Sequence, residues 1–103
     1  MPRQPIPLTT LCDAWIMRIE ESQAEPTEWY AGVTSHVNAR LFEVHNVPKD
    51  TGIYYVHEFQ TEQEAREVEK RLLNWGCDGH EGDGDADSKS VYMYFKIAGV
   101  TDP

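Results

Sequence analysis

The chain has 103 residues and carries 18 acids against 9 bases, a net charge of −9 with histidine neutral. That length holds a single domain, no apolar run approaches the span of a bilayer, and acidity this strong argues against the Lys/Arg-rich surface that nucleic-acid binders present. Five of the acids (Asp78, Glu81, Asp83, Asp85 and Asp87) share one stretch that holds no base, so much of the excess is local.

No charged-then-apolar leader opens the chain, and a cytoplasmic setting is expected. Residues 1–11 hold three prolines and read as an extended arm, followed by a domain over 12–99 and a tail over 100–103. Residues 15–19 alternate Trp15, Met17 and Ile19 with Ile16 and Arg18, which predicts a strand. After a polar loop with Pro26, residues 29–33 resume β-type side chains, so the two segments are expected to pair as an antiparallel hairpin. Thr34 or Ser35 opens a helix to about His45, with Val37, Leu41 and Val44 as its apolar stripe at about 100° per residue. Residues 53–59 alternate again and predict a third strand. Thr61-Glu62-Gln63-Glu64 is a capping box that starts a second helix. Ala65, Val68, Leu72 and Trp75 line its buried face, and Gly76 stops it. Residues 79–90 are rich in Gly, Asp and Ser and read as an acidic mobile loop. Residues 91–97 form a fourth strand. The predicted order is ββαβαβ, an α+β domain with two helices on a small, mainly antiparallel sheet.

Three side chains stand out by position. Arg40 sits at the border of the first helix's apolar stripe, where its stem can follow the core while the guanidinium reaches the edge. His36 precedes it by one turn. Glu69 is the carboxylate closest to the second helix's apolar stripe, and a carboxylate at such a border pairs with a base or holds a metal ion. Tyr30 precedes Gly32 in a strand, and a strand glycine allows another group to approach closely. Cys12 and Cys77 are far apart and are expected to be buried free thiols. Cys77 and His80 make a lone C-x-x-H, half a zinc site at most. Asp83, Asp85 and Asp87 have alternate spacing suited to weak Ca²⁺ binding, but Ser88 and Tyr94 stand where an EF-hand loop needs Gly and Glu.

Tyr30-Ala31-Gly32-Val33-Thr34, then Arg40-Leu41, then His45-Asn46 resembles the second half of the GIY-YIG nuclease signature, and Glu64-Ala65 followed by Glu69-Lys70 is similar to that family's glutamate-bearing helix. The resemblance covers about residues 14–76. It implies phosphodiester hydrolysis of DNA. Tyr30 would act on the attacking water as its base or positioner. Arg40 would neutralise charge developing on the phosphate. Glu69 would hold one Mg²⁺ or Mn²⁺, with His36 and His45 auxiliary. The family's first tyrosine aligns with Met17, and Met17→Tyr is expected to restore its hydroxyl. His45 falls one place beyond the family's histidine, which turns it about 100° further round a regular helix. The competing expectation is an acidic α+β interaction module with no catalytic activity. Such a module would dock a basic protein through the acidic loop and through Tyr92 and Tyr94 on one strand face.

Overall fold

The computed structural model describes residues 8–79 and 88–103. The elements run α1 (Leu8–Glu21), a 3₁₀ turn (Pro26–Glu28), β1 (Trp29–Thr34), a π-helical turn (Ala39–Val44), β2 (Tyr54–Glu58), α2 (Glu62–Trp75) and β3 (Ser90–Phe95). The domain is α+β, with one three-stranded antiparallel sheet in the order β1-β3-β2. The last strand is therefore the central one, and it pairs with both earlier strands.

The expected first strand is helical. Leu11, Cys12, Trp15 and Ile19 are buried while Asp13, Ala14, Met17 and Arg18 are exposed, the spacing of one helix face. The helix begins at Leu8, inside the stretch read as an arm. With no strand at 15–19, the hairpin to β1 is absent as well. The neighbour of β1 is β3, through Tyr30↔Tyr94, Gly32↔Tyr92 and Thr34↔Ser90.

Strand alternation sends side chains to two faces. On one, Trp29, Ala31, Val33, Val91 and Met93 pack against Leu11, Trp15 and Ile19 of α1 and Ala65, Val68 and Leu72 of α2. Trp75, expected in that face, is largely exposed. Thr61 caps α2, its Oγ1 accepting from the Glu64 N–H at 3.2 Å, but the Glu64 carboxylate accepts from the Thr61 hydroxyl at 2.9 Å and not from its backbone N–H, so the predicted box is only half formed; Gly76 ends the helix at φ 128°. Beyond Gly76 the chain returns along the outer edge of β1, where Asp78 N–H donates to the Trp29 carbonyl and Ala31 N–H to the Asp78 carbonyl. Lys96 Nζ bonds the Asp78 carboxylate at 3.0 Å.

On the other face Tyr30, Tyr92 and Tyr94 cluster with Leu41 and Val47, covered by Val37, Phe42 and Tyr54. The helix expected over 35–45 is reduced to the six-residue π-helical turn. Leu41 is buried, but Val44 is exposed and leaves the predicted stripe. Asn46 has φ 54°, a left-handed conformation that asparagine tolerates, and ends the turn.

No helix among the described residues is long and apolar enough to cross a membrane. The acidic loop's residues 80–87, with Glu81, Asp83, Asp85, Asp87 and His80, lie outside the described residues. So do the mobility and cation binding expected of them.

Candidate functional site

The tyrosine face holds a dense polar and aromatic cluster. Tyr30 from β1 stacks with Tyr94 at 5.3 Å and with Tyr92 at 6.4 Å between ring centroids, and lies 4.7 Å from the His45 ring. All four rings are buried. Tyr92 and Tyr94, expected as an exposed docking pair, are 1% and 0% exposed, which removes them from any interaction surface.

Gly32 explains how Tyr92 reaches this position. A Cβ at Gly32 would sit 2.5 Å from the Tyr92 hydroxyl and 2.7 Å from Cζ. The Tyr92 ring therefore lies across the bare backbone of β1, the close approach that a strand glycine permits.

The Tyr92 hydroxyl is the meeting point of the cluster. His45 Nε2 lies 2.9 Å from it. The charges of Arg40 and Glu69 both act on it. Burial, with Tyr30 and Glu69 adding to it, pushes the phenol up to about 12, while Arg40 pulls the other way. Tyr94 is likewise raised, first by burial and then by Tyr30 and Tyr92. Neither phenol ionises near neutral pH.

The π-helical turn brings His45 into the cluster. Its N–H bonds the Arg40 carbonyl at 2.9 Å, closing a turn of five residues. At about 100° per residue, a regular helix would leave His45 turned away from Arg40. The wider turn reduces that angle, and such turns are common at functional sites. On the far side, His45 Nδ1 lies 2.7 Å from the Asp102 carbonyl and 3.1 Å from the Tyr94 hydroxyl. Asp102 N–H bonds the His45 carbonyl at 2.8 Å, and the Asp102 carboxylate accepts from the Asn46 amide. The segment read as a free tail is thus tied to the site, with Thr101 buried beneath it.

Of the predicted residues, Tyr30 and His45 meet at the Tyr92 ring, and Arg40 and Glu69 act on Tyr92 through their charges, Glu69 from α2, whose apolar stripe packs on the other face of the sheet. Glu69 is fully buried. Arg40 is partly exposed, and its Nε is buried with no hydrogen-bond partner among the described residues. His36 does not join the cluster. It is exposed and lines a groove of about 470 Å³ with Ser35, Asn38, Ala39, Val56 and Ser90, which borders the turn that carries Arg40. Met17 is 56% exposed on α1, which packs against the opposite face of the sheet. A tyrosine there would not reach the site, and the expected gain from Met17→Tyr is withdrawn. Cys12 and Cys77 are buried free thiols among the helix-side residues, remote in role from this cluster. Burial raises both, Cys77 to about 11.

Sequence reasoning missed Tyr92, Tyr94 and Asp102 as members. The usable signal was Gly32: a glycine that admits a close neighbour requires that neighbour, and Tyr-x-Tyr on another strand offers one. Comparison with protein-family models, with curated proteins and with solved structures finds no match for this chain.

Proposed function

We propose that the Tyr30–Arg40–Glu69 cluster is a GIY-YIG-like phosphodiester site that hydrolyses DNA with one Mg²⁺ or Mn²⁺. The observation that carries this reading is that Tyr30 lies against the Tyr92 ring while the charges of Arg40 and Glu69, each from a different element, act on the Tyr92 hydroxyl. The Arg40 Nε adds a buried cationic donor without a protein acceptor among the described residues, which suits an anionic ligand.

The donor type suits the ion. Glu69 offers hard carboxylate oxygen, and no group of three His, Cys, Asp or Glu gathers into a cage among the described residues. Mg²⁺ accepts such a site, because it retains waters and takes one or two carboxylates plus substrate phosphate. Bound there, the ion would supply Lewis-acid polarisation of a phosphoryl oxygen. Arg40 binds the phosphate and stabilises the charge that grows on its oxygens, a task for which its planar fork is suited. Tyr30 orients the attacking water through its hydroxyl. Glu69 supplies the negative charge that would hold the cation. The groove beside residues 35–39 gives the nucleic acid a place next to Arg40.

The depth of the cluster favours a second reading. Glu69 at 0% and Tyr30 at 4% exposure are also what a closed, inert core would show, with the domain acting as an acidic interaction module. Cleavage of branched, single-stranded and double-stranded DNA separates the two. The hydrolytic reading expects weak cutting that needs Mg²⁺ or Mn²⁺ and disappears in Glu69→Gln with the fold retained. An inert wild type on all three DNA forms, with both metals, selects the interaction module.

A further inference from the structure

We propose that the outer edge of β2 is a docking surface for an extended basic segment of a protein partner, which adds to the sheet as a fourth strand beside Val56 and Glu58. The inference holds whether or not the tyrosine face cleaves DNA.

The two edges of the sheet differ. That of β1 is covered by the chain's own Asp78, which takes up the outward carbonyl of Trp29 and N–H of Ala31. The other edge is β2. Phe95 N–H donates to the Ile53 carbonyl at 2.9 Å and Phe59 N–H to the Lys89 carbonyl at 2.8 Å, so residues 53, 55, 57 and 59 face β3. In an antiparallel ladder the residues between them turn their backbone groups the other way. Tyr54, Val56 and Glu58 thus direct three N–H and three C=O groups outward, and no backbone group among the described residues meets them. Exposed edges are ordinarily blunted by proline, lysine, a bulge or a covering segment. Tyr54–Glu58 contains no Pro and no Lys and pairs with Ser90–Tyr94 residue for residue. Val56 on it is 42% exposed, beside Ile53 at 49%. Another extended backbone matches such a row of donors and acceptors.

Side chains and charge select the occupant. Val56 and Glu58 lie opposite Tyr92 and Ser90 on the tyrosine face, where they line the groove of about 470 Å³ together with Val37 and Ala39. A side chain opposite Val56 on an added strand would lie on this same face, about 5 Å away. The apolar lining suits a small apolar group there. The residue opposite Glu58 meets an exposed carboxylate, the one acid or base among Tyr54–Glu58 apart from His57, which suits Lys or Arg. Net charge then decides between a foreign segment and a second copy of the chain. A copy brings another −9 against the first, whereas a basic segment is drawn in by the same field.

Amide NMR of the whole chain, titrated with the capped synthetic peptide Thr-Arg-Thr-Val-Thr-Lys-Thr, tests the docking. In antiparallel register its Arg lies opposite Glu58, its Val opposite Val56 and its Lys opposite Tyr54. The amide signals of Tyr54, Val56 and Glu58 should shift and exchange with solvent more slowly. Those of Tyr55 and His57, already turned toward β3, should keep their exchange rates. The same peptide with Glu in place of Arg and Lys should bind more weakly. Glu58→Arg, a change at an exposed side chain, should weaken the basic peptide about fivefold, the most that one exposed ion pair supplies. The proposal is overturned if millimolar basic peptide leaves the three amides unmoved, or if the Glu-substituted peptide binds as well. It is also overturned if the three amides are protected without peptide and increasingly so as protein concentration rises, which would seat a second copy at the edge. Cleavage plays no part in this readout, so a wild type inert on DNA would end the phosphodiester reading and leave the docking result standing.

Discussion

At the scale of single residues, Gly32 and Tyr92 are one unit. The ring occupies the space that any side chain at 32 would need, and it is 1% exposed with nowhere to retreat. Gly32→Ala should therefore displace Tyr92, break its bond to His45 and cost about 1–3 kcal/mol as an overpacked core does. Urea unfolding followed by near-ultraviolet circular dichroism checks both the loss and the altered tyrosine environment. The buried protonated groups add a pH dependence. Cys77 is held to about 11 against an ordinary 9, and Tyr92 to about 12 against 10. The unfolded chain ionises first at each, so stability is complete below pH 9. It then falls as pH rises, over about 9–11 for Cys77 and 10–12 for Tyr92, by about 3 kcal/mol each at most. Melting curves from pH 7 to 12 should be flat at first and decline above pH 9. A decline that Cys77→Ala and Tyr92→Phe leave unchanged would show that other groups govern it.

At the scale of elements, what was legible in the sequence was what local physics decides. The Thr61 N-cap, the Gly76 stop and the alternation of Tyr92 and Tyr94 against Val91 and Met93 all stand in the structure as read. Residues 15–19 were misread because Trp15, Met17 and Ile19 satisfy a strand period over five residues, whereas Leu11 and Cys12 complete a helical face only over nine. Which strand lies beside β1 is a long-range matter: β3 is sixty residues away, and no local pattern announces the pairing. The π-helical turn was invisible for a different reason, since angular arguments assume about 100° per residue and fail wherever a turn widens. Arg40 and Glu69 stood out in the sequence because each lies at the border of an apolar stripe, where a polar side chain needs a partner, and Tyr30 because it precedes a strand glycine. The α2 cap offers an element-level test. Thr61→Ala removes the acceptor for the Glu64 N–H and should cost about 1 kcal/mol. Because α2 carries Glu69 a little over two turns further on, the loss should appear in thermal unfolding with the site's own NMR signals in place below the transition. A site that dissolves with the cap would show that α2 is held by propensity rather than by Ala65, Val68 and Leu72 packed on the sheet.

At the scale of the whole molecule, the site and the surface pull in opposite directions. A net charge of −9 repels a phosphate backbone, while on the proposed reading Arg40 would offer it a partly buried cation. Any DNA contact then depends on few basic groups, and a raised ionic strength that screens general repulsion also weakens those few ion contacts. DNA affinity measured between 20 and 200 mM salt (~tenfold in ionic strength) should show a shallow slope, since a single arginine neutralises about one phosphate. This replaces the steep dependence expected of a basic binder, and a steep slope would place DNA on a cationic surface other than Arg40.

The most direct test of the account is Mn²⁺-supported cleavage of the three DNA forms by wild type, Glu69→Gln and Arg40→Ala side by side, each verified as folded by circular dichroism. The account predicts slow cleavage by wild type, none by Glu69→Gln, and a rate lower by about 10²–10³ in Arg40→Ala, the size of effect seen when a donor to developing charge is removed. Cleavage that survives Glu69→Gln undiminished would contradict it, as would a folded wild type that cuts nothing.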